Sequence, residues 1–332
     1  MKHRSHAWLL SGPVLAVALA PNGATCPSAP APPVVAAASL LQESTPRPAD
    51  SPAEGRAARA AGELDEHLVA WPDLADEPAA KREVARVRKA TSDEMAADAG
   101  AQIAALGAAA APLLLDALGK ERDPEARARI TGALDSITAA PHTRLLAREW
   151  AHASEFVRAY TLDRVAAFPD AGLLETARAH YLALVARAAD PKARRPPSDG
   201  ELDSAARAAA STGALEGLPR CLEQAERDWK RLAPTLRAAC SGAKGEAGAE
   251  LLIGKLTGAG TDAARVAALN LLASVGTKSS VSVIRRFLDS NANNVRVATI
   301  NALRGIVDGE PPIENLSVFT AIEEAKRWKD RT

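Results

Sequence analysis

Apolar residues recur three and four positions apart along most of this chain, and the breaks between apolar stripes are filled by Gly, Pro, Asp and Ser. Residues 113–118 read LLLDAL, 123–134 read DPEARARITGAL, and 293–303 read NNVRVATINAL. Spacing of this kind places one apolar stripe on each of a succession of helices. The punctuation predicts where they begin and end. Gly107 closes the helix ending IAAL, because glycine takes the backbone conformation a helix C-terminus needs. Pro112 opens the next, where its missing N–H costs nothing. Asp123 caps a third, with Pro124 at its first position; Ser154, Asp262 and Asn293 fall at comparable places. Thr91 and Glu94 read as a capping box.

The punctuation repeats. Gly107 is followed by Pro112 and Arg127, Gly276 by Val281 and Arg296, and Gly245 by Glu250 and Arg265, always 5 and 20 residues after the glycine. Arg127 to Arg158, Arg265 to Arg296 and Gly245 to Gly276 are each 31 residues. A fixed period in the thirties is the mark of a solenoid, built from units that cannot bury their apolar stripes alone.

The phrase L-G-x4-P-x-L-x2-A-L, followed by D-P-x-x-R and A-L, resembles the HEAT-repeat family, in particular its short bacterial type, which also occurs in phycobiliprotein lyases. The resemblance is strong over 93–138 and 245–307 and weaker over 139–168. It is least over 169–244, where PKARRPPSDG reads as an insertion. It implies an all-α, right-handed α-solenoid of about seven helix–turn–helix pairs, with second helices lining the concave side. It also implies that Arg127, Arg158, Arg265 and Arg296 are structural, each bonding turn carboxylates or carbonyls of the adjacent repeat. A cation in a first turn opposes the helix dipole, so something else must hold it there.

Around the solenoid, residues 1–24 read as a signal peptide, from Lys2, His3 and Arg4 followed by AWLLSGPVLAVALA. Residues 25–52 read as a Pro/Ala-rich tether, 53–90 as N-terminal capping helices, 91–310 as the repeats and 311–332 as a C-terminal cap. An exported chain of the periplasm or cell envelope is expected, with no transmembrane span. Cys26 is either an acylated anchor or an incidental thiol. Cys221 and Cys240 should lie at similar height on two antiparallel helices joined around residues 230–233, either bridged or as two buried thiols.

Composition narrows the chemistry. Of 332 residues 47% are hydrophobic but only 3% aromatic, and 41 basic residues balance 41 acidic ones, so no nucleic-acid partner is expected. The G-x-G-x-x-A at 258–263 follows a repeat helix and is read as a turn. Glu149 and His152, with His142 and Glu155 nearby, give one Glu-x-x-His, too little for a di-iron site. The expectation is therefore a monomeric, non-enzymatic scaffold without cofactor or metal that binds a protein or peptide; the alternatives are an accessory, lyase-like maturation factor and, remotely, a nucleic-acid-binding solenoid. For the scaffold, Arg144, Arg148, Arg178, Arg220, Arg227, Arg285 and Arg286 would line a groove for an acidic segment. The competing reading pairs them with Glu149, Glu175, Glu223 or Asp289 as ordinary surface charges.

Overall fold

In the computed structural model, residues 68–331 are described. The signal segment, the tether, Cys26 and the start of the N-terminal cap lie outside the described residues. No strand occurs among the described residues; the chain is an all-α helical repeat.

Helices start where short polar side chains satisfy the first free N–H groups. Asp76 accepts from Ala79 N at 2.8 Å and opens α1 (Glu77–Lys89). Ser92 accepts from Met95 N at 3.2 Å and opens α2 (Asp93–Leu106), displacing the expected Thr91–Glu94 box. α3 (Ala111–Lys120) carries Pro112 in its first turn, and α4 (Pro124–Ile137) is capped by Asp123 through Glu125 N and Ala126 N. α5 (Thr143–Arg148), α6 (Glu155–Ala167), α7 (Leu174–Ala189) and α8 (Asp199–Thr212) follow, then the long α9 (Leu218–Ser241), α10 (Glu246–Thr257), α11 (Asp262–Val275), α12 (Val281–Ile284), α13 (Asn293–Leu303) and α14 (Val318–Arg331). Residues 68–76 are not helical, so the N-terminal cap is shorter there than expected. At the other end, α14 buries Trp328.

Two caps move by one residue. Thr261 and Ala292, not Asp262 and Asn293, precede α11 and α13. The repeat register is nonetheless uniform: the backbone N–H groups of Arg127, Arg158, Arg265 and Arg296 bond the carbonyls of Asp123, Ser154, Thr261 and Ala292, four residues back in each case.

Counted as one stretch, the 28 residues Asp93–Lys120 are long enough, and over part of their length apolar enough, to cross a membrane. The stretch is not one helix. Gly107 takes φ +63° inside it, which only glycine tolerates cheaply, and the chain turns there into α3. Ile103 in the first half and Leu114, Leu115 and Leu118 in the second belong to the core.

The repeats form two ranks. In the first, α6 packs on α8, α8 on α9, α9 on α11, and α11 on α13. In the second, α3, α5, α7 and α10 each pack on the first-rank helix that follows. α8 is the tightest member: Ala205, Ala206, Ala208, Ala209 and Ala210 are all buried. Their small side chains let α9 approach so closely that a Cβ on Gly242 would lie 2.0 Å from the Ser211 carbonyl oxygen.

α9 folds back on itself. Asp228 leaves the helical conformation at φ −157°, ψ 63°, and its carboxylate then accepts from Arg231 Nε at 2.7 Å. Cys221 and Cys240 would be about 28 Å apart on a straight helix. Instead Cys221 lies close enough to Cys240 to raise its pKa, so the limbs on either side of Asp228 run antiparallel. The fold-back falls at Asp228, just before the expected 230–233.

Candidate functional site

The repeat arginines bond mainly within their own turns, and several of the surface arginines bond between turns and helices. Arg158, Arg265 and Arg296 donate to the carbonyls of His152, Ala259 and Ser290 at 2.7, 3.0 and 2.7 Å, six residues upstream of each and within the turn that leads into their own helix. Arg158 also crosses to the next repeat, holding the buried Glu201 carboxylate at 2.5 and 3.0 Å. Arg127 departs from the set. Its guanidinium lies 3.7 Å from the centre of the Phe156 ring.

The ladder between repeats is built by residues read as a working surface. Arg144 donates to Asp170 at 2.6 Å and Arg178 to Glu216 at 2.6 Å, each on a later turn. Arg220 meets Asp203 at 2.7 Å and Asp199 at 2.8 Å, and Arg227 shares Asp203 at 2.7 Å. Arg148 donates to the Val69 carbonyl at 2.7 Å, and Arg285 to the carbonyl of Lys329. The carboxylates engaged are chiefly those of neighbouring turns and of α8, and two of the expected local partners join them: Glu223 accepts from Arg220 at 3.1 Å and Glu175 lies 3.8 Å from Arg178. Most of these arginines are therefore engaged by the fold; Arg148 and Arg285 bond carbonyls instead of carboxylates, and Arg285 and Arg286 lie near Lys278 and Lys329.

One opening interrupts the first rank. α4 and α6 do not close on each other as their successors do, and side chains bridge the gap. The result is a cleft of about 650 Å³ between Pro124, Arg127, Ala128, Thr131 and Asp135 on α4 and Phe156, Ala159, Tyr160, Asp163 and Arg164 on α6. Each set follows helical spacing, so each is one face of its helix. Phe156 is 42% exposed in this cleft. At its floor the Tyr160 hydroxyl sits 3.1 Å from Thr138 Oγ1 and donates to Asp135 Oδ1 at 3.3 Å, while Arg164 Nε donates to the same Thr138 oxygen at 3.1 Å. Burial pushes the Tyr160 hydroxyl well above its ordinary pKa, so it stays a neutral donor. Just behind, Arg207 bonds Asp163 at 2.6 Å and Gln224 at 2.5 Å.

None of Phe156, Tyr160, Asp135 and Arg164 stood out in the sequence. A signal was present: the chain has only 4 Phe and 2 Tyr, and Phe156 stands next to the residue that opens α6, ahead of the apolar stripe. What periodicity could not give is that α4 and α6 stand apart.

The remaining candidates have local duties. Cys221 and Cys240 are buried free thiols, and the nearness of Cys221, with burial, pushes the Cys240 pKa well up. His142 Nδ1 accepts from Ala139 N at 3.0 Å and its ring stacks on Trp71; His152 Nδ1 accepts from Ser154 N at 2.9 Å. No cluster of three or more His, Cys, Asp or Glu is arranged for a metal among the described residues. Residues 258–261 form the turn before α11.

No family model and no curated protein matches this chain. Among solved structures it is similar to the complex of CpcE and CpcF of phycocyanin lyase from Nostoc sp. PCC7120, at 17% identity and a TM-score of 0.39, covering 80% of this chain and 98% of that one. The expectation of a chain without enzymatic activity is corrected here: the structure it is similar to is that of a lyase, and the non-enzymatic assignment does not stand. So low a score carries no argument about which reaction, if any, this chain performs.

Proposed function

We propose that this chain is an accessory, lyase-like factor of the helical-repeat class, which takes a segment of a client protein into the α4–α6 cleft. The observation behind this reading is the opening itself: the first rank closes helix on helix from α6 to α13, yet between α4 and α6 it leaves Phe156 exposed above a polar floor. A mostly apolar cleft with a few convergent polar groups, within about 300–1,000 Å³, has the size and lining of a ligand site. Arg127 and Arg164 on one side of the charge balance and Asp135 and Asp163 on the other favour a segment with an apolar side chain flanked by charges of both signs. Export is part of the proposal, supported by the basic and apolar runs of residues 1–24.

The cleft also supports a catalytic version of the same reading. Asp135 and the neutral Tyr160 hydroxyl, 3.3 Å apart, are the groups placed to accept and donate a proton to a bound segment or its attached group.

A photo-crosslinking residue at Ala128, on the cleft rim, tests the binding. One client protein should crosslink from Ala128 and not from Lys255, which is exposed on α10. Phe156→Ala should reduce that yield at least about tenfold, since a partly exposed aromatic anchor dominates such contacts. Equal crosslinking from both positions, or a yield indifferent to Phe156→Ala, overturns the proposal. Tyr160→Phe separates the two versions: it should spare capture and remove turnover if the cleft is catalytic.

A further inference from the structure

A cationic hollow lies away from the cleft just described. Lys278, Arg285, Arg286 and Lys329 converge on a hollow of about 520 Å³ between the α12 turn and the end of α14, with Val281 and Ser282 in its wall. Asp289 is the one acidic side chain lining it, so the lining carries four cations against one anion. This is unusual for the molecule. The whole chain is neutral, and Arg144, Arg178, Arg220 and Arg227 each spend their charge on carboxylates of a neighbouring turn or helix.

The geometry keeps the charges together. Arg285 is half-buried and donates to the Lys329 carbonyl, which ties the α12 turn to α14 and points the remaining guanidinium edge into the hollow. Lys329 pairs with Asp289 across the same gap. Arg286 and Lys278 are exposed on the rim. Arg285 and Lys329 help join α12 to α14, but Arg286 and Lys278 add like charge to the same hollow with no carboxylate among the described residues paired to either, so the lining keeps a net positive charge. An anion that enters offsets that charge and meets at least one guanidinium able to bind a carboxylate through two hydrogen bonds.

We infer that this hollow is a docking site for an acidic segment of a partner protein, one carrying adjacent Asp or Glu side chains. Charge complementarity decides the class of occupant. A nucleic acid needs a basic track along its backbone and aromatic platforms for its bases, whereas the lining here holds no aromatic residue and the chain outside it carries a small acidic excess. Its span suits two or three successive carboxylates.

The test uses the folded chain and a fluorescein-labelled hexaglutamate peptide, read by anisotropy at low and at physiological salt. Lys278→Gln with Arg286→Gln, both on exposed side chains, should weaken binding about tenfold and flatten its salt dependence. Lys81→Gln with Arg82→Gln, which removes the same charge from the exposed face of α1, should change it less than about twofold. An equal loss from both pairs means general electrostatics and overturns the inference, as does failure of hexaglutamate to bind. Tighter binding of anionic vesicles or of an oligothymidylate than of the peptide overturns it as well. The α4–α6 cleft is distant in sequence and shares no lining residue, so a negative result here leaves the client-capture experiment unaffected.

Discussion

Glu121 shows how one side chain secures the start of the repeats. It is buried at the turn between α3 and α4, where its carboxylate accepts from Asp123 N and Arg122 N while also receiving Arg88 of α1. Those bonds, the Asp123 amide first, hold its pKa down to about 2 from 4.5. A depressed carboxylate contributes stability that is complete above its unfolded value and is lost as pH falls through the folded one. The wild-type chain should therefore lose stability between about pH 4.5 and pH 2, and Glu121→Gln should flatten that part of the curve while lowering the neutral-pH plateau. Denaturant midpoints measured across that range decide it; parallel curves for the two proteins would sink the idea. Arg158 and Glu201 give a second case. Glu201 is 1% exposed, so Arg158→Met strands a buried charge and should cost about 3–5 kcal/mol. Adding Glu201→Leu should recover most of that loss, because a well-packed apolar pair is often as stable as a buried ion pair. A double variant as unstable as the single one contradicts this account. The thiols make a third prediction: Cys221 and Cys240 should resist alkylation in the native chain and react promptly once it is denatured, since both are buried and Cys240 is held protonated.

At the scale of elements, what the sequence disclosed and what it hid have different physical origins. Helix starts and the 31-residue register depend on local chemistry, so Pro112, Asp123 and the four repeat arginines could be placed without a structure. Ser92 replacing Thr91 and Thr261 replacing Asp262 are one-residue slips between neighbours that can both cap. The partners of the arginines were hidden because a carboxylate 26 or 38 residues away becomes a neighbour only when repeats stack. The fold-back of α9 lies between these cases: the sequence places a turn around residues 230–233, but Asp228, whose carboxylate accepts from Arg231 N, fixes where it comes. The approach of α9 to α8 was hidden too, and it carries a prediction. Gly242→Ala would force a methyl against the Ser211 carbonyl, with no flexible atom to yield. The cost should be about 3 kcal/mol, or a fall in Tm of roughly 6–12 °C. A variant melting within a degree of the parent would mean the two helices are not locked there.

For the whole molecule, the consequence of stacking is that stability passes only between neighbouring units, so the weakest interface sets where the array comes apart. From α6 to α13 each first-rank helix packs on the next. α1, α2, α3 and α4 likewise pack among themselves, α1 on both α2 and α4. Between these groups the direct helix contact runs from α3 to α6, while α4 reaches α6 through side chains: Tyr160 to Thr138 and Asp135, Arg164 to Asp135, and Arg127 over Phe156. That seam is also the proposed client cleft, so a bound segment would add the contacts the two helices do not make with each other. Hydrogen exchange should then divide the chain. Core amides of α4, such as Ile130 and Leu134, should open at a lower free energy than those of α8, such as Ala206 and Ala209, though all four are equally buried. Opening of α1 to α4 should occur as a unit, and Tyr160→Phe should lower the protection of α4 without lowering that of α11. Uniform protection from α1 to α13, or loss of protection spread evenly by that substitution, would show that the seam is not where the array divides.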